Sequence, residues 1–237
     1  MKIDWRSFTK KFIKDPDSFP FGMVFYDGVM GSGKSLTMVH DALEICKKYD
    51  DVLLISNIEF KVETGAKEVI YFETVDELIT ALEYSQNQKH TWVIIDEALT
   101  YFAENGGIDP ALMNKITQSR SCRRLICLGS QQFKRVNNRL RDFSMQTIQC
   151  NNFGRFQINS VRDDRRLHWD KEEMDFVGPI IEYRIFKRNV ELFNSYDTFA
   201  GVKLNKNIST SSLFVPAAAP PPPQAEKRGI FNFKRKV

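Results

Sequence analysis

An α/β sandwich, with helices on both faces of a mainly parallel sheet and a C-terminal antiparallel extension, is predicted by three observations. Strand-like and helix-like segments alternate through the first half of the chain. A glycine-rich turn, GVMGSGKS at 28–35, stands between an apolar strand and a helix. Two later apolar runs, WVII at 92–95 and LICL at 125–128, end in polar residues, as strands do where their carboxyl ends meet a ligand. Alternating β and α units of this kind pack as a parallel sheet wrapped by helices.

The elements follow in order. FGMVFYD reads as the first strand, and SLTMVHDALEICKKYD as a helix, with Leu36, Val39, Leu43 and Cys46 at helical spacing. DVLLISNIEF and VIYFET are the next strands, and Thr74 through Glu77 form a capping-box pattern that opens the helix VDELITALEYSQ. TWVIIDEA is a short buried strand; Asp109 and Pro110 make an N-cap and first-turn pair for ALMNKITQSRS; RRLICLGSQQ is another buried strand. From Met145 the pattern changes to MQTIQC, FQINSV, IIEYRIFK and VELFNSY, read as short strands of an antiparallel extension at one sheet edge. After Ile208, STSSLFVPAAAPPPPQ cannot form a core and predicts an extended spacer of roughly 3 Å per residue. The organisation is therefore a basic N-terminal arm (1–18), one globular domain (19–208), and a proline-rich spacer with a basic-aromatic tail (209–237), in which Phe231 and Phe233 among lysines and arginines point to docking.

A length of 237 residues supports one substantial core, and 42% apolar with 27% charged residues fits a soluble globular protein. No run approaches the roughly 18 apolar residues of a membrane span, and the first residues lack the apolar core of a secretory signal. Cys46, Cys122, Cys127 and Cys150 have no metal-ligand spacing and read as thiols in a reducing compartment, largely buried; His40, His90 and His168 are scattered. The net charge of +4 is mild, but Arg120, Arg123, Arg124, Lys134, Arg135, Arg139 and Arg141 cluster, a candidate contact for nucleic acid.

The octapeptide satisfies G-x-x-x-x-G-K-[ST], the phosphate loop of P-loop nucleotide triphosphatases, which specifies the sandwich as a three-layer P-loop NTPase fold. Gly28, Val29, Met30, Gly31, Ser32, Gly33, Lys34 and Ser35 form the predicted ATP cradle: successive N–H groups and the positive end of the next helix converge on the phosphates. Lys34 adds a charge at the β- and γ-oxygens, and Ser35 offers its hydroxyl to Mg2+. A strand ending in Asp96 and Glu97 supplies the second motif, with Asp96 for Mg2+ and Glu97 to deprotonate the attacking water. Gln131, ahead of Gln132, ends the next strand as a candidate γ-phosphate sensor. Arg120, Arg123 and Arg124 lie between a predicted helix and that strand, where an arginine can act in a neighbouring subunit's site; Arg124 is the candidate.

GVMGSGKS, VIIDEA, LICLGSQQ and LFNSYDT, in this order, resemble the FtsK/HerA-type branch of P-loop ATPases over about residues 20–200. More closely they resemble the zonular occludens toxin-like assembly ATPases of filamentous phages and the genome-packaging ATPases of double-jelly-roll viruses. The resemblance implies a ring, usually a hexamer, that moves viral DNA while hydrolysing ATP, with double-stranded DNA ranked ahead of single-stranded. It places the motor in the host cytoplasm and at the virion's packaging vertex. The proline-rich spacer stands where phage assembly ATPases carry a transmembrane span, so packaging ranks ahead of extrusion, with a terminal arm attaching the motor to a capsid vertex or a membrane-associated viral protein. A small-molecule kinase is disfavoured by the adjacent Asp-Glu pair, and a binding-only protein by the intact motifs.

Overall fold

The structure is a computed structural model that describes residues 19–102, 107–119, 121–170 and 175–197; the basic arm and the proline-rich tail lie outside them. The apolar run after Phe21 forms β1 (Gly22–Asp27), and its alternation sends Met23 and Phe25 to one face of the sheet and Val24 and Tyr26 to the other. The chain continues through α1 (Lys34–Lys48), β2 (Val52–Ser56), β3 (Glu59–Phe60), β4 (Glu68–Tyr71), α2 (Val75–Tyr84) and β5 (His90–Ile95). Then come α3 (Leu99–Phe102), α4 (Pro110–Thr117), β6 (Arg124–Ser130), α5 (Asn138–Arg141), β7 (Ser144–Phe153) and β8 (Phe156–Asp163). The described chain ends with β9 (His168–Asp170), β10 (Asp175–Val177), β11 (Ile180–Lys187), α6 (Val190–Asn194) and β12 (Tyr196–Asp197).

Eight strands form one sheet in the order β11-β8-β7-β1-β6-β5-β2-β4. Those from β7 to β4 run parallel, while β8 and β11 are antiparallel additions at one edge. Both faces are buried, as a parallel sheet requires. On one face Val24, Leu54, Trp92 and Cys127 pack beneath Leu36, Val39 and Ile45 of α1. On the other, Phe25, Ile55, Val93 and Leu128 pack against Leu78 of α2, Leu112 and Ile116 of α4, and Leu140 of α5. This is the three-layer α/β arrangement of the P-loop fold.

The helix starts follow their local chemistry. Thr74 accepts from the Glu77 amide while the Glu77 carboxylate accepts from the Thr74 amide, a complete capping box. Asp109 accepts from the amides of Ala111 and Leu112, with Pro110 in the first turn where its missing N–H costs nothing.

Two assignments at the C-terminal side are corrected. The segment beginning at Ser144 is parallel to β1, because residues 131–143 cross back over one face before β7 begins; the antiparallel extension starts one strand later, at β8. VELFNSY is a one-turn helix followed by a two-residue strand, because Asn189 accepts from the Leu192 amide at 2.9 Å and nucleates the turn.

Arg124 is the third correction. It is completely buried at the start of β6, the sheet end opposite the phosphate loop, where its guanidinium donates to the Lys115 carbonyl at 3.0 Å and to the Leu82 carbonyl. Both carbonyls belong to last turns, so the cation sits at the negative ends of α4 and α2 and cannot project into another subunit. Burial pulls its pKa below the usual guanidinium range. Arg124→Ala removes two hydrogen bonds from a buried charged donor, leaving the Lys115 carbonyl without it and the Leu82 carbonyl with only the Ser85 hydroxyl at 2.8 Å, and is expected to cost about 3 kcal/mol, lowering Tm by roughly 6–12 °C. A thermal melt of Arg124→Ala within two or so degrees of wild type contradicts this assignment. Arg123 is exposed at the same sheet end, and Arg120 lies outside the described residues.

Among the described residues no helix is long and apolar enough to cross a membrane. All four cysteines are free; Cys46, Cys127 and Cys150 are buried and Cys122 is half-buried. Burial pushes the Cys46 and Cys150 thiols up to about 12.

Candidate functional site

The carboxyl ends of β1, β6 and β5 lie side by side, with Asp27 level with Ser130 and Ile95 level with Leu128. Everything the nucleotide motifs predict is delivered to this edge. The loop leaves β1 at Gly28, exposes Val29, Met30 and Gly31, buries Ser32, and enters α1 through Gly33. The Ser32 amide donates to the Val29 carbonyl at 3.1 Å and closes the turn. Gly33 caps the helix at φ 91°, a left-handed conformation, and a Cβ there would collide with the Gln157 side chain, so only glycine fits. Lys34 is buried, and its ammonium donates to the Val29 carbonyl at 3.2 Å, folded across the loop it serves.

Asp96 follows β5 and is held from four directions. Its Oδ2 accepts from the Ser35 hydroxyl, and its Oδ1 from the Glu97 amide at 2.9 Å. Its backbone is clamped by Asn57, whose Nδ2 donates to the Asp96 carbonyl and whose Oδ1 accepts from the Asp96 amide, both at 2.8 Å. Gly129 on β6 admits the carboxylate, since a Cβ at that position would strike Asp96 Oδ1. Glu97 adopts φ 54°, a strained conformation for a non-glycine residue, and exposes its carboxylate at the site's mouth. Gln131 is half-buried and donates from Nε2 to Glu97 Oε1 at 3.4 Å, while Gln132 is exposed. Lys34, Ser35, Asp96, Glu97 and Gln131 therefore converge, and Arg124 is the one predicted site residue the fold removes.

A hydroxyl and a carboxylate in mutual contact at a phosphate-loop helix are hard oxygen donors that fit Mg2+, which takes one or two protein oxygens and otherwise water and phosphate. Among the described residues no group of three or more His, Cys, Asp or Glu side chains could hold a metal ion.

Several supporting residues escape a reading by motif. Asn57 is a polar residue directly after the buried strand VLLIS, the same signal that marks Asp96, and could have been found by it. Asn152, Gln157 and Asn159 come from β7 and β8 and reach the loop backbone or its helix; Gln157 and Asn159 leave the trace of polar residues at inward positions of an alternating strand, while Asn152 is exposed and leaves none. Tyr196 packs beside the site: burial first, then the nearby Asp96 charge, push its phenol up to about 12, so it stays protonated. Asp41, buried on α1, accepts from the Tyr26 hydroxyl at 2.9 Å and pairs with Arg184 at 3.6 Å, tying the loop's helix to β1 and β11.

Comparison with known proteins agrees with this architecture. The N-terminal domain of zonular occludens toxin from Neisseria meningitidis is 15% identical, with 74% of this chain and 98% of that one covered at a TM-score of 0.52. It shares the fold. The genome packaging NTPase B204 from Sulfolobus turreted icosahedral virus 2, in complex with ATP-gammaS, is 15% identical over 71% of this chain and all of that one, at 0.48. The flagellar accessory protein FlaH from Methanocaldococcus jannaschii is 15% identical over 70% and 84%, at 0.42. No curated protein sequence matches the chain. The sequence model of the zonular occludens toxin (Zot) family matches residues 22–199, well over half of the chain. This chain belongs to the Zot family.

Proposed function

We propose that this protein hydrolyses ATP with Mg2+ and uses the energy to move viral DNA. The observation that carries the ATPase reading is the meeting of Ser35 and Asp96, the predicted Mg2+ oxygens, beside Lys34, Glu97 and Gln131 at one edge of the sheet. The loop amides and Lys34 hold the phosphates. Ser35 and Asp96 hold the metal, which neutralises charge on the β- and γ-oxygens when bound. Glu97, turned outward by its left-handed backbone, takes the proton of the attacking water, and Gln131 reports on the γ-phosphate through its contact with Glu97.

The finer reading is a homo-oligomeric, ring-shaped motor, with Arg135 and Arg139, exposed on the β6 to β7 crossover, meeting DNA phosphates. Family membership over residues 22–199 supports the extrusion of phage DNA during assembly ahead of packaging into a capsid, reversing the order suggested by the sequence alone. The terminal arms then hold the motor at a membrane-associated viral protein or a capsid vertex.

The test is an ATPase assay with single- and double-stranded DNA across a salt series. Stimulation that weakens as salt rises is expected, and a preference for single strands favours extrusion. Hydrolysis indifferent to every nucleic acid at low salt removes the motor reading and leaves the ATPase; absent hydrolysis removes both.

A further inference from the structure

We propose that Gln157, on the antiparallel extension and outside both nucleotide motifs, is a positioning residue that aims the phosphate-loop amides. The inference rests on the ATPase reading above. Gln157 is fully buried, and its Nε2 donates to the Ser32 carbonyl at 2.8 Å and to Asn159 Oδ1 at 2.9 Å. Asn159, equally buried, donates from Nδ2 to Thr37 Oγ1 at 3.3 Å, and that hydroxyl donates to the Gly33 carbonyl at 2.8 Å. Two consecutive loop carbonyls are thus anchored from one strand. Asn152 adds a third hold, donating from Nδ2 to the Gly31 carbonyl at 2.6 Å.

A trans peptide is planar, and its C=O and N–H point in opposite directions. Fixing the Ser32 carbonyl on Gln157 therefore turns the Gly33 N–H away from β8. Fixing the Gly33 carbonyl on Thr37 turns the Lys34 N–H toward the open N-terminus of α1. These are the donors an anion meets at a helix start. A neutral carboxamide suits this role because it offers two N–H donors and places no charge under the loop, whereas a carboxylate could not donate.

The fit is mutual. The space a Gly33 side chain would occupy is taken by the Gln157 carboxamide. Its Oε1 finds no hydrogen-bond partner among the described residues, and a buried acceptor left unpaired costs stability. A pair of apolar side chains at 157 and 159 would fill the same volume without that cost, so folding alone does not explain the amides.

Gln157→Met keeps length and flexibility and removes both donors. Calorimetry with Mg-ATP and Mg-ADP is expected to show each Kd rising about tenfold. KM should follow, and kcat should stay within about twofold, because Asp96 and Glu97 are carried by the turn after β5 and not by β8. A variant with a lowered Tm and unchanged Kd values has lost only scaffold, which overturns the proposal and leaves the ATPase reading intact. Wild-type protein that binds neither nucleotide overturns both. Should the variant not fold, 15N-labelled wild type titrated with pyrophosphate decides: the Gly33 and Lys34 amides and the Gln157 side-chain NH2 should move together, and an unmoved Gly33 amide or Gln157 NH2 overturns the proposal.

Discussion

Glu97→Gln is expected to bind Mg-ATP as tightly as wild type and to turn it over about 10²–10⁴-fold more slowly, the range a positioned general base contributes. The substitution keeps shape and removes only the proton acceptor. The Glu97 amide, which fixes Asp96 Oδ1 at 2.9 Å, is a backbone group and survives the change. Gln131 reaches the side chain at 3.4 Å, a contact a glutamine carbonyl can still accept. The strained φ of 54° is set by the turn after β5 and by the Ala98 amide bonding to the Gly129 carbonyl at 2.7 Å, so the side chain stays aimed outward. Calorimetry for Kd and a single-turnover assay for the chemical step separate the two effects. Turnover within a few-fold of wild type places the water-activating group elsewhere.

Lys34→Ala should act on the other side of that division, on binding. The ammonium is buried and folded onto the Val29 carbonyl at 3.2 Å, positioned to swing onto a phosphate that replaces that carbonyl as its partner. Truncating one member of a buried, hydrogen-bonded charge pair costs about 2–5 kcal/mol, so ATP affinity should fall about 30- to 4,000-fold. Stability without nucleotide should change little, since the loss is one hydrogen bond to a loop carbonyl. Calorimetry paired with a melt checks both halves. Binding that survives with a wild-type Tm is incompatible with the phosphate-loop assignment.

The parts of this molecule legible in its sequence are those whose chemistry demands contiguous residues. Glycines at set intervals before a helix announce the turn in which Gly33 takes a left-handed conformation, and two acids in a row after an apolar run mark the strand end at which Asp96 meets Ser35. Thr74 with Glu77, and Asp109 with Pro110, were legible for the same reason, since a cap is completed within four residues. What failed depends on distant partners. The two carbonyls that claim Arg124 belong to Leu82 and Lys115, and nothing near residue 124 announces them. The direction of β7 depends on where residues 131–143 carry the chain, which propensity does not encode. Gln157 meets Ser32 from the far side of the chain, so a motif centred on either residue omits the other.

The placement of β1 bears on how the polypeptide emerges from the ribosome. Both neighbours of β1 come from much later in the chain, residues 124–130 and 144–153. At about 5–20 residues per second, an apolar segment that belongs at the centre of the finished sheet waits roughly 5–20 s for its first partner to be made. Throughout that interval its main-chain donors and acceptors are open to any other extended segment, which makes β1 a stretch in need of chaperone cover during synthesis.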